Sequence, residues 1–171
     1  MRKAVWGLLG LAAVLSGCAN MDKWAGVPVS EGNGYEIQQT EKSKRWGRAT
    51  VEYVPYEMLR AREAEAAKLA MREPEETPFK NGYIVVRIDA PTLETAKSKF
   101  LEIIVAKDGE VLQRAKGADK VPMPPHRNTW DMWWSTTLVG LKSPIEDYVD
   151  VVVVDPVANY RDAFRISSPA Q

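Results

Sequence analysis

Residues 99–116 read KFLEIIVAKDGEVLQRAK. In an extended chain Leu101, Ile103 and Val105 share one face, with Phe100, Ile104 and Ala106 beside Glu102 on the other. Asp108-Gly109 follows, flanked by strand-like runs. Such a pair predicts a two-residue hairpin, because both turn positions need positive φ and Asp and Gly tolerate it. Val111 to Lys116 is the returning strand, and its polar content predicts an edge or a solvent-facing side.

The same grammar extends in both directions. Upstream, Ile84, Val86 and Ile88 alternate with Val85, Arg87 and Asp89, a half-buried strand that ends before Pro91. Downstream, Gly117 to Asn128 is a loop with Pro122, Pro124, Pro125 and His126. Trp130 to Leu141 is a further strand, and after a loop at Ser143 to Asp147 comes Tyr148 to Asp155. Its apolar run Val151 to Val154 predicts a central strand covered on both sides. Pro156 to Asn159 make a turn, and Tyr160 to Ser167 return with Phe164 and Ile166 inward. Strands joined by turns, with no crossover helix among them, pair antiparallel. Six or seven of them bury one face each only as two packed layers, so the expectation is an antiparallel β-sandwich, immunoglobulin-like or C2-like, over 79–171.

Ahead of it, residues 49–78 hold a short strand, a helix and a linker. Thr50 to Val54 alternates, and Pro55 to Arg72 is rich in alanine, arginine, glutamate and lysine, all good helix formers. Proline suits the first turn, and Pro74 stops the helix. Arg62–Glu65 and Glu65–Lys68 are spaced to pair across a turn. The apolar stripe (Leu59, Ala66 and Leu69, with Met58 at its side) is thin, which suits light packing on the domain or contact with a partner. Glu73 to Pro78 is a linker. Residues 18–48 are polar and glycine-containing without a sustained period, the signature of a flexible tether. Within them Lys42, Lys44, Arg45 and Arg48 cluster beside Trp46, read first as solvated linker and second as a contact for anionic polymer or headgroups.

The first residues decide the address. Arg2 and Lys3 precede an uncharged apolar run from Ala4 to Val14. That run is too short to span a bilayer, which takes about 20 apolar residues, but it has the length of a signal-peptide core. It closes on Leu15-Ser16-Gly17-Cys18, which resembles the lipobox of bacterial lipoproteins. The resemblance covers these eighteen residues alone. It implies a signal peptide at 1–17, and cleavage and acylation with palmitate-type chains at Cys18. With Ala19 rather than aspartate next, it implies the outer membrane on its periplasmic face. Cys18 is the only cysteine, so no internal disulfide forms, and a thioether to lipid gives the lone exported thiol a use. Two or more acyl chains anchor durably.

Removing the signal leaves 154 residues and, without Arg2 and Lys3, 21 basic against 23 acidic side chains. That balance disfavours a nucleic-acid partner, which asks for a basic excess. His126 is the only histidine, so a monomeric His/Cys zinc site is excluded. Ser135 and Ser143 lack the glycine pattern of a nucleophile elbow. Asp89, Asp108, Asp155 and Asp162 sit at predicted strand ends, where sandwiches hold calcium, but aspartate favours turns for its own backbone reasons. Neither a metal nor a cofactor is therefore expected. Trp130, Trp133 and Trp134 invite sugar stacking. Adjacent Trp133 and Trp134 must face opposite ways, so at least one is expected in the core, leaving Trp130 or Trp133 as the ligand contact.

The functional expectation is a lipid-anchored, non-catalytic envelope protein that binds another envelope protein or a cell-wall glycan. Two alternatives stand beside it. One is a structural subunit docking through helix 55–72. The other is a hydrolase using carboxylates such as Glu102 and Asp131, which would need two acids about 5 or 9 Å apart.

Overall fold

The computed structural model describes residues 34–44, 46–125 and 132–169. Cys18 and the signal peptide lie outside the described residues. In chain order the elements are β1 (Glu36–Glu41), β2 (Arg48–Val54), α1 (Tyr56–Leu69), β3 (Tyr83–Ala90), β4 (Glu102–Lys107), β5 (Glu110–Lys116), β6 (Trp133–Gly140), β7 (Tyr148–Asp155) and β8 (Tyr160–Ser167). They form two sheets, ordered β1-β8-β7-β4-β5 and β2-β3-β6. Every pairing is antiparallel. The chain crosses between sheets at β1 to β2, β3 to β4, β5 to β6 and β6 to β7. With β2-β3-β6 facing β5-β4-β7-β8, the connectivity is that of an immunoglobulin-like sandwich, and β1 adds a strand beyond β8.

Alternation builds the core. Val51 and Tyr53 of β2, Ile84, Val86 and Ile88 of β3, Ile103 and Val105 of β4, Val151 and Val153 of β7, and Phe164 and Ile166 of β8 all meet between the sheets. Each such side chain removed from water contributes about 1.5–3 kcal/mol. The hairpin sits where the sequence placed it. Asp108 and Gly109 take φ of 52° and 81°, the left-handed pair of a type I′ turn, and β5 forms one edge of its sheet.

Four expectations change. First, the tether reading of 18–48 gives way at Glu36–Glu41, which is a strand hydrogen-bonded to β8, with Ile37 opposite Ile166. The strand has one apolar side chain, and backbone pairing leaves no trace in hydropathy. Second, β2 pairs with β3 over seven residues, so the sheets draw on residues before 79, and the helix is an excursion between two neighbouring strands. Among the described residues six strands, β3 to β8, fall within 79–171, as expected, and β1 and β2 bring the total to eight.

Third, β7 is covered on one side. Val151 and Val153 are buried, whereas Val152 and Val154 are half-buried, because among the described residues no layer lies over the outer face of the larger sheet. Fourth, the helix turns a different side to the body. Ala66 and Leu69 are exposed, the latter at 79%, and the less exposed line runs Tyr56, Leu59, Glu63 and Ala67, of which only Ala67 is fully buried. The ion pair that forms on it joins Glu63 to Arg72 at 2.5 Å rather than Glu65 to its neighbours. Glu63 also accepts the Glu75 backbone N–H at 2.9 Å, which folds the linker back onto the helix. These two donors hold the Glu63 carboxyl below its usual range.

Candidate functional site

Strand direction gives the sandwich two distinct ends. At one, β1 starts where β8 finishes, with Glu36 opposite Ser167, and Tyr35 meets Tyr53 edge-on at 4.7 Å. The chain therefore joins the sheets here, beside the β4–β5 hairpin and the start of α1. The segments 42–47, 91–101, 117–132 and 156–159 connect strands at the opposite end, called here the loop end.

The loop end is tied together by small polar side chains. The Ser135 hydroxyl donates to the Ala96 carbonyl at 2.5 Å, the Ser98 hydroxyl to the Ala118 carbonyl at 2.9 Å, and the Ala118 N–H to Thr137 Oγ1 at 2.9 Å. Ser135, weighed above as a nucleophile, is thus a buried tie. Gly117 passes so close beneath Ser98 that a Cβ there would lie 1.7 Å from the Ser98 carbonyl oxygen. That approach lets β5 end directly beside the segment leading into β4.

Between these elements and Pro156 lies a concavity of about 560 Å³, lined by Lys99, Phe100, Glu102, Arg114 and Lys116 among others. Alternation explains the lining. Leu101 is buried in the core, so Glu102 after it turns to the other face, and Phe100 before it lies in the turn closed by the Leu101 N–H on the Ser98 carbonyl at 2.9 Å. Phe100 is left 52% exposed, with the Lys99 ammonium 4.8 Å from its ring centre. Glu102 is bound by Arg114 at 2.6 Å, and Lys116 stands opposite Glu102 in the strand register. Among the described residues neither Lys99 nor Lys116 has an acidic partner, so the concavity is net positive. It offers one apolar ring, two ammonium groups without an acidic partner, that of Lys99 resting on the ring, and one internally neutralised pair.

Of the residues singled out from sequence, Cys18, His126, Trp130 and Asp131 lie outside the described residues. Trp133 is half-buried at the loop end, opposite Ala90, on the inward side shared with Ser135 and Thr137, and does not line the concavity. The expectation that one of Trp133 and Trp134 sits in the core is not met, since the core cluster contains neither. Trp134 instead lies over the Arg87 guanidinium at 4.7 Å. The four aspartates stay apart and occupied. Asp89 accepts from Arg48 and Arg87, Asp108 from the Tyr148 hydroxyl, Asp155 from the Val157 and Ala158 N–H groups, and Asp162 from Ser43. Among the described residues no three His, Cys, Asp or Glu side chains come together as a metal would require, and no helix is long and apolar enough to cross a membrane.

Sequence reasoning placed Phe100 with Glu102 on the face opposite Leu101 but did not single it out, and it passed over Lys99 and Lys116. The available signal was a phenylalanine preceded by lysine on the outward side of a strand start. No family model, curated protein or solved structure matches this chain.

Proposed function

We propose that this is a lipid-anchored protein of the bacterial envelope. In this reading it is held through Cys18 to the periplasmic face of the outer membrane, and its sandwich binds a cell-wall glycan, without catalysis, at the loop end. The observation that carries the reading is the polarity of the sandwich. The chain joins at one end, and the far end presents Trp46, at 85% exposure, with Phe100, Val121 and Val157 also exposed among Lys42, Lys44, Lys99 and Lys116. The seventeen residues 18–34 span at most about 55–60 Å, enough to hold that end away from a membrane. The lone carboxylate of the concavity, Glu102, is engaged by Arg114, so a two-acid hydrolase finds no second acid there among the described residues.

Two measurements test this. Mass spectrometry of the mature chain is expected to find an acylated Cys18 as its first residue, and an intact Met1 without acyl adduct overturns the anchor. Photo-crosslinking in cells is expected to capture wall material from positions 46, 100 and 121 and not from position 36 or 142. Equal capture from both ends removes the binding role of the loop end. A second reading, docking of a partner protein on α1, is favoured by the exposure of Leu69 and Met71. It predicts a protein partner lost on Leu69→Asp with Met71→Asp, and goes if every partner remains.

A further inference from the structure

We infer that the concavity between the start of β4, the end of β5 and Pro156 is a subsite for a short acidic saccharide, one whose ring carries a carboxylate or a phosphate. The inference rests on the glycan reading above only for where such a sugar would be met. The site itself stands on its lining. Its volume of about 560 Å³ falls within the ~300–1,000 Å³ of small-ligand sites. A sugar ring has an apolar face of C–H groups, and the half-exposed Phe100 ring is the surface that covers one. Exposing that ring to water has no evident benefit to the fold, because Leu101 and Ile103 already fill the core beside it.

Charge selects the sugar. The Glu102–Arg114 pair is already satisfied, so it adds no net charge and leaves polar edges for sugar hydroxyls. Lys99 and Lys116 remain, neither with an acidic partner among the described residues, and an anionic substituent forms charge-assisted hydrogen bonds with them, drawing the Lys99 ammonium off the Phe100 ring as the sugar covers it. A neutral sugar offers neither ammonium group an anion and gains only the stacking. An anionic bilayer surface suits the feature less well, because docking there needs protruding apolar tips, whereas Phe100 lies in the wall of a depression.

The test is titration of the full mature chain with oligomers of a hexuronic acid, with a hexose phosphate and with the neutral parent sugars, alongside sedimentation with isolated cell wall and with anionic lipid vesicles. Binding of one or both acidic probes, at least about tenfold tighter than the neutral sugars and weakened by salt, is expected. The carboxylate and phosphate arms identify the source. Phe100→Ala and Lys99→Glu with Lys116→Glu should each weaken binding about tenfold or more without moving the melting temperature, since all three side chains are exposed. Lys142→Glu, at the opposite end, should bind normally. Equal affinity for neutral and acidic sugars, or unchanged affinity in the lysine reversal, overturns the inference. So does binding of vesicles alone, which assigns the surface to lipid. Wall binding that survives the lysine reversal sinks this subsite and leaves the proposed function standing. An acidic probe that binds while the wall does not sinks the wall-binding role and spares the subsite.

Discussion

The two outer faces of the sandwich carry the same kinds of residue and treat them in opposite ways. On the smaller sheet Arg87 and Asp89 are only 7% and 3% exposed. Arg87 donates to Asp89 at 2.7 and 2.9 Å, Arg48 reaches the other oxygen at 2.8 Å, and Trp134 roofs the group. On the larger sheet Arg165 makes an equally well-formed fork to Asp150 at 2.8 and 3.0 Å and stacks on Tyr148 at 4.2 Å, but in solvent. The smaller face is covered at its other end by the excursion between β2 and β3. Phe79 lies against Gly140 and Tyr83, and Arg62 of α1 acts on the buried Glu52. Geometry alone does not rank these ion pairs. Water does, because a charge whose partner is deleted can be resolvated on the open face and not on the covered one.

The largest effect should come from Asp89→Ala, which leaves Arg87 buried without this carboxylate. A loss of about 3–5 kcal/mol in urea unfolding is expected, and a loss near zero would show that water reaches the cluster. Ala67→Leu comes next. Enlarging the one buried side chain of α1 should cost about 1–3 kcal/mol if the helix rests closely on the body. No change would mean that the cover is loose, and would narrow the contrast between the faces.

Glu52 gives a smaller effect with a definite sign. Burial raises its pKa above the ordinary 4.5, with Arg62 pulling the other way. The folded state thus disfavours the ionised form. Stability linked to Glu52 is fully present below about pH 4.5 and declines as pH rises through the folded value. Glu52→Gln should therefore melt higher than the parent at pH 7, with the gap closing toward pH 4. A gap that is constant with pH would refute the burial account. Smallest of all, Asp150→Asn on the open face should leave the melting temperature within experimental error, since exposed pairs add little. A clear loss there would break the comparison.

Much of the fold was legible because it follows from local pattern. Ile84, Val86 and Ile88, or Ile103 and Val105, declare their faces by alternation, and Asp108-Gly109 declares its turn by chemistry. The valine run 151–154 misled because a run reports how apolar a strand is, not what lies over it. The tryptophan pair misled for a related reason, since a large ring is equally at home in a core or over a guanidinium. The site was legible only in part. Alternation put Phe100 beside Glu102 and opposite Leu101, but its neighbours Lys116 and Pro156 are 16 and 56 residues further along the chain.

The chain's own order of residues determined most of the segments that extend, where the hairpin turns, that a helix starts just after Pro55, and the signal-like start with its single cysteine. Each is set by side-chain period, turn chemistry or composition within a few residues, whereas the helix ends at Leu69, short of the expected Arg72. Tertiary structure alone decided that the nearly featureless Glu36–Glu41 becomes a strand, that Arg87 and Asp89 lie under cover, and that Lys99, Phe100 and Lys116 share one depression. Those outcomes depend on backbone hydrogen bonds to a distant strand and on what shields a charge from water, and neither is a property of the residues taken one neighbourhood at a time.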